Sequence, residues 1–194
     1  FFQNPDVRDL FVREGLVRPG VSGLLPGSGV DTHRFSPVER VKGGSGPVFL
    51  LVARMLWAKG VAEFAEAAVA VRSRFPCARF QVLGIIDEAG KGAIDRGTIE
   101  RWAAEGAIEY LGSADDVRPH LAAADCIVLP TYYPEGTPRS LLEAAAMGKP
   151  LLATDVPGCR QIVEDGRNGF LGSPREAGAH ADPASRFCLL PHGV

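Results

Sequence analysis

Short apolar runs alternate with amphipathic segments from residue 47 onward, and this alternation predicts how the chain folds. Apolar runs bounded by polar or glycine-rich turns are typical of strands that are buried on both faces of a parallel sheet. The predicted strands span residues 48–52, 80–83, 108–111, 126–129 and 151–153. Apolar positions three and four residues apart predict helices at residues 61–74, 97–106, 116–124, 138–147 and 160–165. Strands that alternate with crossover helices form βαβ units, so the pattern predicts an α/β protein with a doubly wound, Rossmann-like parallel sheet.

The two ends of the chain do not follow this pattern. Residues 6–17 predict an amphipathic helix, and residues 40–46 are rich in glycine and charge, as linkers are. Residues 177–194 show no helical period, so no regular element is predicted there. We therefore divide the chain into residues 1–40, a remnant of a preceding domain with a hinge, residues 41–172, the main domain, and residues 173–194, an irregular or disordered tail.

Composition excludes several classes of protein. The chain has 194 residues, 46% of them hydrophobic, which suffices for one core but not for a large two-domain enzyme. A net charge of -2 gives no basic surface for nucleic acid. No apolar run approaches the ~20 residues of a membrane-spanning helix, and no signal peptide opens the chain. The four cysteines lack metal-ligand spacing, so we expect reduced thiols and a cytoplasmic location.

The segment from Tyr132 to Gly148 carries the most chemical information. It follows a predicted strand, and Thr137 is the expected N-cap of a helix that begins at Pro138. Glu135 lies in the loop ahead of that helix, and Glu143 lies within it. A helix N-terminus at the carboxyl end of a parallel strand binds anions, because its N–H groups are unpaired and its dipole end is positive.

Two carboxylates on either side of an anion site repel the anion, so their use is to accept hydrogen bonds from hydroxyl groups. A nucleotide diphosphate-sugar has this layout, with ribose hydroxyls, a pyrophosphate and sugar hydroxyls. Arg54 and Lys59 follow the first strand at the same sheet edge, where they can neutralise a leaving diphosphate. The alternative is that the two glutamates and the two cations are ordinary solvated residues. Likewise, Gly27 and Gly29 fit either a plain turn or a close approach to a ligand.

These residues resemble the donor-site motifs of the family 4 glycosyltransferases, which have the GT-B fold. The resemblance covers roughly residues 1–172. It rests on the two glutamates separated by seven residues, Arg54 and Lys59-Gly60 after a strand, and a glycine turn that ends in Gly29-Val30-Asp31. Two further segments match, Tyr110-Leu111-Gly112 and residues 165–171.

The resemblance implies the C-terminal, donor-binding half of a retaining enzyme that uses a UDP-sugar. On this view Glu143 holds the ribose and Glu135 holds the sugar, while Arg54 and Lys59 contact the diphosphate. The residues expected to be catalytic are Arg54, Lys59 and Glu135. The residues expected to bind the donor are Gly27, Ser28, Gly29, Arg54, Lys59, Glu135, Gly136, Thr137, Arg139, Ser140, Leu141 and Glu143.

No metal site and no cofactor are expected, because no two aspartates stand two residues apart and the four histidines are scattered. Similarity of residues 1–11 and 135–150 to enzymes of lipid-linked glycan assembly suggests a glycan or polyprenyl-linked acceptor. The expected partners of the full-length enzyme include a missing N-terminal domain and a peripheral contact with the inner face of the membrane. Without that domain we expect donor binding but no turnover.

Two other functions compete with this interpretation. One is a nucleotide-binding module without transferase activity. The other is a flavodoxin-like or dinucleotide-binding protein, which is disfavoured because no G-x-G-x-x-G motif follows a strand.

Overall fold

A computed structural model describes residues 1–38, 46–175 and 177–189. Within these residues six strands form one fully parallel sheet in the order β3-β2-β1-β4-β5-β6. The strands are β1 (Val48–Val52), β2 (Arg79–Leu83), β3 (Glu109–Tyr110), β4 (Cys126–Leu129), β5 (Leu151–Thr154) and β6 (Gly169–Gly172). The doubly wound parallel sheet and all five predicted strands are confirmed. Sequence analysis missed β6, because glycine stands at both of its ends and weakens the strand pattern.

Seven helices connect and flank the strands in the described residues. They are α1 (Pro5–Arg13), α2 (Val61–Arg72), α3 (Arg96–Ala104), α4 (Arg118–Ala123), α5 (Arg139–Ala146), α6 (Pro157–Arg160) and α7 (Ala177–Leu189). The predicted helix at residues 160–165 is wrong in position, since α6 ends at Arg160. Pro157 explains the shift, because proline favours the first turn of a helix.

The alternating side chains of the strands build one core on each face of the sheet. In β1, Phe49 and Leu51 pack with α2, α3 and α7, whereas Leu50 packs with α4, α5 and α6. All three of these side chains are fully buried. Coverage of both faces explains why the strands read as continuous apolar runs.

Residues 177–189 form α7, so the prediction that the tail lacks regular structure is wrong for this part. The helix packs against α2, with Ala184 buried and the Phe187 ring 5.6 Å from the ring of Phe49. Pro183 lies inside the helix, where proline destabilises the helical conformation by about 3 kcal/mol. The sequence pattern therefore did not predict a helix here. Burial against α2 and β1 offsets that cost. Residues 39–45, 176 and 190–194 lie outside the described residues. The domain boundary predicted at 40/41 and all but residue 46 of the linker predicted at 40–46 fall there.

The strand order places a switch point between β1 and β4. The chain leaves β1 toward β2 on one side, and it returns from β3 to β4 on the other side of β1. The loops that follow β1 and β4 therefore diverge, and they leave a crevice at the carboxyl edge of the sheet where ligands of such folds bind. No helix among the described residues combines the length and apolar character that crossing a bilayer requires.

Candidate functional site

Two adjoining cavities occupy the crevice at the switch point. The first, of about 470 Å³, is bordered by Arg54, Lys59 and Glu135. The second, of about 410 Å³, is bordered by Glu143 and the Asp116 loop. Both cavities share Val52 and the first residues of α5, Arg139 and Ser140. The start of α5 thus stands between two compartments, with one predicted glutamate in each.

Glu135 is buried at the floor of the first cavity, with only 8% of the residue exposed. Its Oε1 lies 2.5 Å from Lys59 Nζ and 2.9 Å from the Thr131 hydroxyl. Its other oxygen, Oε2, accepts no hydrogen bond from the described residues. The carboxylate is therefore fixed through one oxygen and offers the other to a ligand.

Lys59 is held in place by the loop after β4. The carbonyl oxygen of Ala58 accepts hydrogen bonds from the backbone N–H groups of Tyr132 and Tyr133, both at 3.0 Å. Lys59 Nζ also lies 5.0 Å from the centroid of the Tyr133 ring, within range of a cation–π interaction. The loops after β1 and β4 are thereby tied together, and the ammonium group stays beside Glu135.

Helix α5 begins one residue later than the sequence predicts. Its N-cap is Pro138, not Thr137, and no side chain caps it. The Thr137 N–H donates instead to Gln3 Oε1 at 3.0 Å, and its hydroxyl bonds to Gln161. Arg139 and Ser140 occupy the first turn, where N–H groups have no partner within a helix. These two amides are the ones that α5 presents to the crevice.

Glu143 faces the second cavity and pairs with the residue one helical turn before it. Arg139 donates to Glu143 Oε1 at 3.0 Å; the Glu143 side chain is only 12% exposed, while that of Arg139 is 71% exposed. The Arg139 side of this i,i+4 pair is open to solvent, so a ligand hydroxyl can replace the guanidinium while Arg139 turns to water.

The glycine turn from the N-terminal part of the chain meets the start of α5. Gly27 and Gly29 both have left-handed backbones, with φ of 50° and 69°. A Cβ atom at Gly27 would lie 3.0 Å from the Cβ of Thr137, so a larger residue would push these loops apart. The structure therefore brings Gly27 next to Thr137 in the loop at residues 130–138, which joins β4 to α5 and is called the donor loop below.

Arg54 and Leu141 take contrasting positions. Arg54 is exposed at the mouth of the first cavity, and no ion pair joins it to another described residue. Leu141 is fully buried in the core beneath α5, so its side chain serves packing and cannot contact a ligand in the crevice.

Charged neighbours and burial fix the ionisation of two groups near the cavities. Hydrogen bonds from Arg118 lower the pKa of Asp116 to about 2, so this carboxylate is ionised at neutral pH. Burial, together with the negative charge of Glu135, raises the pKa of the Cys159 thiol to about 12. Cys159 is therefore a protonated packing residue. All four cysteines are free, and no cluster of three or more metal-ligating side chains occurs in the described ranges.

Several residues at the crevice escaped sequence analysis. Thr131 lies in the donor loop, Gln3 contacts this loop, and Arg34, Phe35 and Asp116 line the second cavity. No periodicity or spacing marks these residues, because they reach the crevice from separate loops. Asn4 also reaches the donor loop, and its sequence context, Asn-Pro-Asp, indicates the start of a helix but not this contact.

A doubly wound parallel sheet with helices on both faces is the Rossmann-like fold of one domain of a GT-B glycosyltransferase. The family model described as "Glycosyl transferases group 1" matches residues 46–188. The chain therefore belongs to the group 1 glycosyl transferases, and it is a glycosyltransferase domain.

A named relative agrees with this membership. The chain is 36% identical over 144 residues to N,N'-diacetylbacillosaminyl-diphospho-undecaprenol alpha-1,3-N-acetylgalactosaminyltransferase of Campylobacter jejuni. The match covers 74% of this chain and 35% of that protein.

Solved structures agree on the fold. Sucrose-phosphate synthase from Thermosynechococcus elongatus superposes with a TM-score of 0.79 at 25% identity, over 96% of this chain and 48% of the other. Anabaena HepE, in a complex with UDP and glucose, superposes with a TM-score of 0.77 at 22% identity, over 97% and 52% of the two chains. The chain thus spans about half, or less, of the proteins that it matches.

Proposed function

We propose that this chain is the donor-binding domain of a retaining glycosyltransferase that uses a UDP-sugar. The observation that carries the proposal is the pair of cavities that share the start of α5, each with one mostly buried glutamate. A UDP-sugar has the matching order of parts: a ribose, a central diphosphate and a sugar.

The second cavity is assigned to the nucleoside. Glu143 accepts hydrogen bonds from the ribose hydroxyls and releases Arg139 as it does so. Phe35 and Val117 provide an apolar wall for the base. Asp116 is held by Arg118 through short hydrogen bonds, the shortest of them 2.7 Å, so a guanidinium offsets its negative charge beside the cavity.

The diphosphate lies across the start of α5. The N–H groups of Arg139 and Ser140 and the positive end of the helix dipole face it. Arg54 and Lys59 border the same cavity and both contact the diphosphate, and no described carboxylate neutralises the charge of Arg54. These groups act most strongly as the glycosidic bond breaks, because the leaving UDP then gains negative charge.

The first cavity is assigned to the transferred sugar. Glu135 Oε2 accepts hydrogen bonds from sugar hydroxyls, while Lys59 holds the carboxylate in place through Oε1. In the proposed front-face route the acceptor hydroxyl attacks the anomeric carbon, the bond to the phosphate oxygen breaks, and that oxygen takes the acceptor proton. Configuration is retained without a protein nucleophile, a metal or a cofactor.

The acceptor is proposed from relatives and not from this chain's geometry. The name of the Campylobacter jejuni relative describes transfer to a diphospho-undecaprenol-linked sugar. We propose a lipid-linked glycan acceptor, bound with the help of an N-terminal domain of the full-length enzyme. Such an enzyme works in the cytoplasm, at the inner face of the membrane.

Isothermal titration calorimetry of the chain tests the donor assignment. The ligands are UDP, GDP, NAD and the UDP derivatives of glucose, galactose, N-acetylglucosamine and N-acetylgalactosamine. We expect UDP to bind more tightly than GDP or NAD, and one UDP-sugar to bind more tightly than UDP. Binding of NAD without binding of UDP would contradict the proposal. Binding of UDP with no preference for any UDP-sugar would favour a nucleotide-binding module instead.

A further inference from the structure

Gln3 and Asn4, which precede helix α1, make polar contacts with the loop at residues 135–137, beside the first cavity. Asn4 is 1% exposed although it lies next to the surface helix α1. Its Oδ1 accepts the Val7 N–H at 2.9 Å and so caps α1. Its Nδ2 donates across more than a hundred residues to the carbonyl oxygens of Glu135, at 3.3 Å, and Gly136, at 3.5 Å. One side chain therefore fixes the cap of α1 to the backbone that carries Glu135.

Gln3 completes this contact through a closed ring of hydrogen bonds. Gln3 Oε1 accepts the Thr137 N–H at 3.0 Å. The Thr137 hydroxyl and Gln161 Oε1 lie 3.3 Å apart, and Gln161 Nε2 donates to the Gln3 carbonyl oxygen at 3.4 Å. Gly136 makes room for the ring, because a Cβ atom there would lie 1.7 Å from Gln3 Oε1.

The same segment is tied to residues 23–25, which lead into the glycine turn at 27–29. The Phe2 N–H donates to the Gly23 carbonyl oxygen at 2.9 Å, and the Leu25 N–H donates to the Phe2 carbonyl oxygen at 2.8 Å. Residues 2–4 thus link α1 and the segment at residues 23–25 to the loop at 135–137, and this loop borders the first cavity through Glu135 and Thr137.

We propose that Gln3 and Asn4 are positioning residues for the transferred sugar. The inference rests on the donor assignment proposed above and adds two residues that touch no ligand. They hold the backbone of residues 135–137, and through it the carboxylate of Glu135, at the distance that the sugar hydroxyls require. They do not contact the second cavity, so they leave the binding of the nucleoside unchanged.

The test compares the affinities for UDP and for a UDP-sugar in the 194-residue chain. The readout is the affinity for the UDP-sugar divided by the affinity for UDP. Both are measured by calorimetry, with the UDP-sugar that the wild-type chain binds most tightly. Asn4→Asp keeps the oxygen that caps α1 but replaces the N–H donor with a negative charge beside two carbonyl groups. We expect the affinity for the UDP-sugar to fall about tenfold, as for a lost buried hydrogen bond, and that for UDP to change less than about twofold.

A matched control exists at the opposite edge of the sheet. Asn168 Oδ1 accepts from the Glu164 N–H and its Nδ2 donates to the Ile162 carbonyl oxygen, both at 2.8 Å. Asn168→Asp therefore makes the same chemical change away from the crevice, and we expect it to leave the ratio unaltered.

A second variant does not depend on a buried side chain. Gln3 is exposed, so Gln3→Met removes the acceptor for Thr137 without threatening the fold. We expect the ratio to fall about fivefold, and Gln3→Glu, which keeps an acceptor oxygen, to preserve it.

An unchanged ratio in both Asn4→Asp and Gln3→Met, or equal losses of both ligands, overturns the inference while the donor assignment stands. A wild-type chain that does not prefer any UDP-sugar over UDP overturns the donor assignment and this inference together.

Discussion

The two glutamates of the crevice have different surroundings, which predicts different effects when each is neutralised. Among the described residues Glu143 pairs only with the exposed Arg139, whereas Glu135 is the counter-charge of Lys59. Glu143→Gln should weaken the binding of UDP itself. Glu135→Gln should reduce the preference for the UDP-sugar, while the freed Lys59 maintains or improves the binding of UDP. Calorimetry with both ligands checks this, and parallel losses in the two variants would contradict the assigned roles.

Arg54 is the cation of the first cavity that has no carboxylate partner among the described residues. Because its charge is available to the diphosphate, Arg54→Gln should weaken the binding of UDP about tenfold, as for the loss of a charge-assisted hydrogen bond. The binding of uridine, which lacks phosphates, should change little. Arg79→Gln is the control, since Arg79 pairs with Glu109 at the amino end of β2. An equal effect of Arg54→Gln on uridine and UDP would refute the contact.

At the scale of elements, helix α6 sets the position of the donor loop. A Cβ atom at Gly158 would lie 2.3 Å from the Gly136 carbonyl oxygen and 2.6 Å from that of Glu135. Gly158→Ala should therefore displace this loop, lower the free energy of unfolding by about 1–3 kcal/mol and weaken the binding of the UDP-sugar. Gly20→Ala is the matched control, because nothing lies within 4 Å of a Cβ atom there. Thermal unfolding and calorimetry of both variants provide the comparison. Equal stability of the two would contradict the prediction, because it would mean that α6 can move away from the donor loop without loss of free energy.

Helix α7 should make stability depend on pH. His180 is 3% exposed, its Nε2 has no partner in the described residues, and burial lowers its pKa from 6.5 to about 4. Between these two values the unfolded chain binds a proton that the folded chain does not. Stability is therefore complete above about pH 6.5 and falls as the pH drops, by up to about 1.4 kcal/mol per pH unit from this residue.

Denaturant unfolding of the wild-type chain and of His180→Leu, from pH 7.5 to pH 4.5, measures this dependence. The variant should lose that part of the slope between pH 6.5 and pH 4.5. Identical slopes in the two proteins would mean that other groups carry the acid sensitivity.

At the scale of the whole molecule, the predicted donor groups Arg54, Lys59, Glu135 and Glu143 border the crevice at the carboxyl edge of the sheet. The chain spans 35% to 52% of the relatives and structures described above. We expect the 194-residue chain to bind a UDP-sugar and to be stabilised by it, by about 2.7 kcal/mol at a hundredfold excess over Kd. We expect it not to transfer the sugar to a lipid-linked acceptor. A radiolabelled-sugar transfer assay checks this, and measurable transfer would contradict the division of roles between domains.

The sequence by itself determined the fold class, five strands and the location of the acidic pair. It could do so because buried parallel strands, crossover helices and helix starts are encoded by neighbouring residues. Only the tertiary structure decided how the segments meet. The ion pair between Lys59 and Glu135 joins residues far apart in the chain, and so does the hydrogen bond from Thr137 to Gln3. No local sequence pattern encodes such contacts. Helix α7 was hidden for the same reason: its stability comes from burial against α2 and β1, which outweighs the local effect of Pro183.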